Sequence, residues 1–558
     1  MSTQSSPRCQ RGLGLGVALG VAVLLLGPVG AASATTFNVN ATTDGVHGSC
    51  GTTPGSCSLR DAIIAANGGS GGDTINVPPG TYDLTVMGSG EDAAATGDLD
   101  ITKSVTIAGA GAGSGGTTIK GEGDRVFDIF SGAGAVTISG MAITNGAENF
   151  GGAIRTVGSS LTLTGNSLTQ NTATSEGFGG AIFMEPSGGG TLTITNCTFS
   201  SNTAADATTS GGGFGGAVMF EPGGTGTLTI SDSTFSSNRS AGSTTQGGFG
   251  GAVMFEPGAD PSSLSVTNST FTANQAGGHE GFGGGIVFEP NGATSSGTLT
   301  HITMVGNSTT GTDMGGGILV EAAPVMVRNS IISGNTAAGV ANNCSADDAG
   351  TLVTAGHGLE LGVSCGFDLN ADPKVAALAD NGGPTKTMAL TAGSPAIDAA
   401  DDVFCPASDQ RGVARPQGPH CDIGAYERVV GSPTTTTTTL PPGCDQVPTF
   451  ESIDCRLDAL IATVQSASDT GRLGKRLVNL LVRTRKQKLH AEQLAGRGKA
   501  KPAKVTLKAA IQTLKSFIAL LRSHDAKRII PNSTRNALLA TAQPLLADMK
   551  SLLAAGAR

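Results

Sequence analysis

Nine residues keep returning along this chain. Phe178-Gly179-Gly180-Ala181-Ile182-Phe183-Met184-Glu185-Pro186 recurs as Phe214 to Pro222, Phe249 to Pro257 and Phe282 to Pro290, and in worn form as Met314 to Ala322. A shorter forerunner stands at Phe150 to Ile154. Each copy is followed by a second block ending in Asn: Phe199 to Asn202, Phe235 to Asn238 and Phe271 to Asn274, with weaker versions ending at Asn171, Asn307 and Asn335. Successive Phe residues are 28, 36, 35 and 33 positions apart, and Met314 follows Phe282 by 32. Self-similarity at such a period predicts a solenoid, propeller or array.

The pattern inside one repeat narrows the choice. Ile182 and Met184 alternate with Ala181, Phe183 and Glu185, so the two sets point to opposite faces of a strand. The Ile182 position becomes Val218, Val253, Ile286 and Ile318; the Met184 position becomes Phe220, Phe255, Phe288 and Val320. These are apolar throughout and predict a core stacked coil on coil. Leu192 and Ile194 repeat the arrangement in a second strand with Thr191, Thr193 and Thr195 outside, and Phe199 turns inward in a third. Asn202 closes the coil, since Asn tolerates left-handed turns and stacked amides bond along the axis. Three strands per repeat of about 30 residues make one turn of a β-solenoid. Glycine, 86 of 558 residues, clusters between the strands without a strict Gly-X-Y period, which excludes collagen.

Charge divides the chain. From 443 to 558 there are 20 Lys and Arg against 8 Asp and Glu, a net of +12; the remainder holds 14 against 35, a net of −21. The basic end fits either a solvated helical bundle or a module for an anionic partner. Nothing in it reads as specific nucleic-acid recognition.

Arg8 and Arg11 precede the apolar run Leu13 to Val29, followed by Ala32-Ser33-Ala34, the pattern of a cleaved export signal over residues 1–34. The run is short for a membrane span, and no other long apolar stretch follows. Export permits disulfides. Eight cysteines form neighbouring pairs, Cys50/Cys57, Cys344/Cys365, Cys405/Cys421 and Cys444/Cys455, although eight cysteines allow 105 connectivities. Cys197 is left over where other repeats hold Ser233 and Ser269, so it reads as a tolerated small residue.

Cys57-Ser58-Leu59-Arg60-Asp61-Ala62-Ile63 opens a short amphipathic helix. Ser58 caps it, Asp61 stands at N3, and Leu59, Ala62, Ile63 and Ala66 share one face. A first coil has no neighbour, so residues 35–70 predict its lid. This string resembles the CSLREA-type motif of exported bacterial β-helix proteins, with Asp61 in place of the usual Glu. The Gly-Gly-Ala-Ile/Val and Phe-x-x-Asn repeats of residues 71–345 resemble those of the polymorphic outer membrane protein family. Four strings over residues 346–430 are similar to the choice-of-anchor Q domain: Asp380-Asn381-Gly382-Gly383-Pro384, Gly393-Ser394-Pro395-Ala396-Ile397-Asp398, Asp409-Gln410-Arg411-Gly412 with Arg415-Pro416, and Asp422-Ile423-Gly424-Ala425-Tyr426-Glu427. These resemblances imply a right-handed parallel β-helix of the pectin-lyase-like class, secreted or on a bacterial surface. The autotransporting members of that family end in a membrane barrel, whereas residues 443–558 read as helical, so self-translocation is not expected.

A Thr/Pro linker occupies 431–442. Beyond it, four apolar stripes at helical spacing predict a small bundle: Leu457/Leu460/Ile461/Val464; Leu473/Leu477/Leu480/Leu481; Leu507/Ile511/Leu514/Ile518/Leu521; and Leu538/Ala542/Leu545/Met549/Leu552, the last with Pro544 as a kink.

Among candidate sites, Glu185, Glu221, Glu256, Glu289 and Glu321 take one place in five coils. Coils stack about 4.8 Å apart, so like charges there repel unless cations bridge them, some stay protonated, or they splay into solvent. Ca²⁺ is the cation such an oxygen row would take. Phe183, Met219, Met254, Val287 and Leu319, outward by alternation, form either an exposed binding stripe or one covered by a flanking loop such as 203–213. The Thr rows read as strand residues or a hydroxyl array for sugars or water. Asp347-Asp348 with His357 is a weak enzymatic pattern, and Arg155 and Arg239 have no evident acid cluster in the sequence. The expectation is a monomeric, non-catalytic surface protein that binds a polysaccharide or envelope component; a polysaccharide lyase or glycoside hydrolase is the alternative.

Overall fold

The computed structural model describes residues 34–429, apart from 49, 89, 159, 206–210, 293 and 348, and residues 450–554, apart from 467–472 and 498. Residues 1–33 of the expected export signal, the expected Thr/Pro linker and Cys444 fall outside these residues, as does the Cys455 side chain. The chain forms two compact units, Met1–Arg428 and Val429–Arg558.

The first unit is a parallel β-helix. Its strands line up in sheets of 11, 11, 9 and 8 among the described residues. One coil runs through Ile182–Met184 of the Gly-Gly sheet, Gly190–Thr195 of the Thr sheet, Thr198–Ser200 of the Phe sheet and Thr203–Ala204 of a flank sheet, then enters Val218–Phe220 of the next coil. Pairing is in register. Ile182 meets Val218, Leu192 meets Leu228 and Phe199 meets Phe235. The sequence pattern resolved three strands per coil; the fourth, two residues long in most coils, is too short for alternation to reveal.

Identical residues therefore sit on one another. Phe199, Phe235 and Phe271 stack at 4.7 and 4.8 Å inside the core, and Phe255 lies 5.0 Å from Phe288. Asn171, Asn202, Asn238, Asn274, Asn307, Asn335 and Asn343 form a buried amide ladder. Each Nδ2 from Asn171 to Asn335 donates to the Oδ1 of the next Asn at 2.8 to 3.2 Å, and Asn343 ends the ladder by donating to Glu360 Oε2 at 3.2 Å. The same amides donate backward, as Asn202 does to the Leu168 carbonyl at 2.9 Å. A primary amide carries both donors and acceptors, so it complements its own copy. The turn itself falls elsewhere than the Asn: Ser201, Ser237 and Ala273, one residue earlier, hold the left-handed backbone at φ 56°. The Gly pair closes the other side of the coil. Gly215 has φ +60°, and a Cβ on Gly216 would collide with the Gly251 carbonyl.

The open first coil is covered by helix α1 (Leu59–Asn67), with the expected capping box between Ser58 and Asp61. Leu59, Ala62, Ile63 and Ala66 join the solenoid core. Disulfides join Cys50 to Cys57, Cys344 to Cys365 and Cys405 to Cys421, and Cys197 is buried and free. Three disulfides are compatible with an oxidising, extracellular setting.

Residues 371–428 leave the last coils and run back along the Phe sheet as a strap. Gln410 fastens it, donating to the hydroxyls of Thr234 and Thr385 at 2.9 Å and accepting from Thr270 at 2.6 Å. Behind it the buried Arg415 pairs with Glu427 at 3.0 Å, and Arg411 pairs with Asp409 at 2.7 Å while lying 3.6 Å from the Tyr426 ring centre. The charged motifs of this segment thus converge on one knot that seats the strap.

The second unit packs α2 (Phe450–Ser466), α3 (Gly474–Gly496), α4 (Ala500–Arg522), the short α5 (His524–Ile529) and α6 (Asn532–Ala554) around the stripes named above. Pro544 lies inside α6, which continues to Ala554. No described helix is long and apolar enough to cross a membrane.

Candidate functional site: a carboxylate row and a buried acid cluster

The glutamates follow the Gly-Gly strands, and the backbone places them in successive coils. Glu221 N–H donates to the Met184 carbonyl at 2.9 Å, Glu256 to Phe220 at 3.0 Å and Glu289 to Phe255 at 2.9 Å. Glu185, at one end, is exposed; Glu221, Glu256, Glu289 and Glu321 are half-buried. Glu185, Glu221 and Glu256 line a groove of about 490 Å³ with Ser187, Asn291 and the rings of Pro186 and Pro222. Burial, then the neighbouring Glu256 and Glu185, pushes the Glu221 carboxyl up to about 7. Burial and then Glu321 raise Glu256 as well. The raised Glu221 and Glu256 fit protonation of some members, one of the three ways to relieve a like-charged row. No three of these glutamates bring oxygens within 4.8 Å of one another among the described residues. A cation in the row would therefore take at most two of its carboxylates, with water filling the rest of its shell.

The stripe beside the row is not exposed. Phe183 is 2% exposed, and Met219, Met254, Val287 and Leu319 are fully buried. They form a second apolar cluster under Phe150, Phe178, Phe214, Phe249 and Phe282. Those covering rings stack in turn, at 4.9 Å from Phe178 to Phe214 and 4.4 Å from Phe249 to Phe282. The Phe that opens each repeat is thus the lid of the strand four residues on: of the two readings the covered one holds, with the ladder of Phe rings rather than loop 203–213 as the cover.

The same outward row, followed toward the N-terminus, becomes charged. Asp100 is registered on Asp128, and Asp128 on Arg155, which is itself registered on Phe183. Arg155 does have an acid partner: its guanidinium lies 3.0 Å from Asp128. Arg125 bridges Asp98 and Asp128 at 2.9 and 3.2 Å. Nearby, the fully buried Arg60 of α1 pairs with Asp44 at 2.8 Å. Burial raises Asp98 to about 6 and Asp100 to about 7. The sequence hid this cluster because its members sit one coil apart in early coils that lack the nine-residue repeat.

Other expectations resolve simply. His357 binds the Ala399 carbonyl of the strap at 2.6 Å and faces Asp368 at 3.9 Å, while Asp348 lies outside the described residues. On the Thr sheet, Thr74, Thr106, Thr137, Thr162, Thr193 and Thr229 occupy one registered outward row. Burial pushes the Cys197 thiol up to about 12, which makes it a packing residue rather than a nucleophile. Compared with protein-family models, curated proteins and solved structures, the chain has no match.

Proposed function

We propose that this is an exported or cell-surface binding protein whose solenoid takes a glycan along the glutamate groove, with the basic helical unit as a tether. The observation that carries the reading is the groove itself. Carboxylates in successive coils offer repeated acceptors to sugar hydroxyls, and Glu221, titrating near neutrality, acts as donor or acceptor. The solenoid region is acidic, so neutral or amine-bearing polysaccharides suit it better than acidic ones, which would need bridging Ca²⁺. On the helical unit Lys475, Arg476, Arg483, Lys486, Lys501, Lys504 and Lys508 are exposed, a surface for an anionic envelope component. The test is binding of the full chain to immobilised neutral, amine-bearing and acidic polysaccharides. Retention on the first two and its loss in a Glu221→Ala/Glu256→Ala variant are expected; retention unchanged by that variant would sink the reading.

Glycoside hydrolysis or lyase chemistry is the second reading. Glu221 favours it, because a carboxyl protonated near pH 7 beside another carboxylate is the pairing an acid-assisted cleavage needs. Release of reducing or unsaturated sugars, abolished by Glu221→Gln, would move the conclusion to an enzyme.

A further inference from the structure

The acid cluster of the first coils is built unlike a surface patch. Asp100 lies in Leu99–Ile101 and Asp128 in Phe127–Ile129, paired in adjacent coils, and Asp98 immediately precedes the first of these strands. One oxygen from each of the three lies within 4.8 Å of the others. Asp100 is 1% exposed and Asp128 5%.

Their hydrogen bonds are lopsided. Both arginines that reach Asp128 use the same atom: Arg125 and Arg155 donate to Oδ2 at 3.2 and 3.0 Å. Oδ1 of Asp128 is buried and has no hydrogen-bond partner among the described residues. Asp100 accepts the Ala94 N–H at 2.7 Å and has no described cation within ion-pair distance. Around them Glu91 and Asp124 add further negative charge. Five carboxylates thus share the two guanidinium groups of Arg125 and Arg155, the third, Arg60, being paired with Asp44, and a buried carboxylate oxygen is left with nothing to accept from. Leaving an ionised oxygen in that state is costly, and buried charges in proteins are paired or coordinate metals.

We propose that Asp98, Asp100 and Asp128 hold a hard divalent cation, Ca²⁺ in the first instance, with the free Oδ1 of Asp128 as one of its ligands. Three carboxylates from two coils and a preceding turn give the oxygen-only, irregular donor set that Ca²⁺ accepts and Mg²⁺ takes less readily. The ion would join the first coils of the Gly-Gly sheet where the Phe cover of later coils is missing. This site is separate from the glutamate groove and does not depend on its function.

The experiment is calorimetric titration of the chelator-stripped full chain with CaCl₂ and with MgCl₂, supported by sensitised Tb³⁺ luminescence and thermal unfolding. One saturable site that prefers Ca²⁺, with a rise in Tm on binding, is expected. Asp128→Asn should lower the Ca²⁺ affinity at least tenfold, whereas Glu221→Gln/Glu256→Gln should leave it unchanged. Should Asp128→Asn fail to fold, Asp98→Asn, at the more accessible edge of the cluster, must show the same loss. Absence of Ca²⁺ binding overturns the proposal. So does full affinity in Asp98→Asn, or loss of binding in the glutamate double variant.

Discussion

One outward row of the Gly-Gly sheet has two chemistries. In the early coils it reads Asp100, Asp128 and Arg155; in the later coils it reads Phe183, Met219, Met254, Val287 and Leu319. Both stretches are largely hidden from water, by different means. The apolar stretch is covered by a ladder of Phe rings, each a copy of the last. The charged stretch is held by Arg125 and Arg155, which have no copies in the repeats that follow. The lesson concerns what in-register stacking permits. A side chain repeated every ~4.8 Å must complement itself. Phe does so by stacking and Asn by donating and accepting. Asp does not, so an acid row must be interrupted by arginine, protonated, or completed by a cation.

Removing the shared arginine should break the charged half most severely. Arg125→Met leaves Asp98 and Asp128 with far less compensation, and a loss of about 3–5 kcal/mol in denaturant unfolding is expected, as for other buried pairs stripped of one partner. The apolar half should respond to volume instead. Met254→Ala is expected to cost about 2–4 kcal/mol through cavity formation; an effect below ~0.5 kcal/mol would mean the row is exposed after all. The amide ladder lies between the two in character. Asn238→Ala removes the acceptor for Asn202 and is expected to cost about 1–3 kcal/mol, whereas Asn238→Leu adds the strain of a larger, branched side chain and should be worse.

The smallest expected effect is the dependence of stability on pH through Glu221. Its folded value, about 7, lies above the ordinary Glu range, so the folded state binds the proton more tightly than the unfolded chain. That contribution is fully present below about pH 4.5 and is lost as pH rises through 7. Thermal unfolding at pH 5 and pH 8 should therefore show the wild type losing stability relative to Glu221→Gln, by about 1 kcal/mol once solvent screening of a half-exposed group is allowed for. His301 works in the opposite sense. Buried and pushed down to about 3, it is neutral in the fold and lowers stability as pH falls below its ordinary value near 6.5; it does so equally in the wild type and in Glu221→Gln, so the difference between the two proteins isolates Glu221.

Much of the architecture was legible because a solenoid writes its geometry into a local period. Ile182 and Met184 announce the core by alternation, Asn202 and its copies announce the corner, and Ser58 with Asp61 announces the cap; all lie within a few residues of the feature they control. The glutamate row was legible for the same reason. What the period does not carry is the identity of the layer over a given face. Phe183 alternates like an exposed residue, and only the fold shows the Phe178 ring 5.6 Å away covering it.

By itself the sequence determined a mainly β solenoid with stacked like residues, a helical cap, and a separate helical unit; its pattern over residues 346–430 reads as a further part of the β-helix rather than as a strap. The tertiary structure alone decided that the apolar stripe is interior, that Gln410 pins the strap to the Phe sheet, and that Asp98, Asp100 and Asp128 meet. The physical reason is common to all three. Each depends on contacts between residues on different coils or on the strap, set by register and by chain reversal, and neither leaves a trace in the order of neighbouring residues.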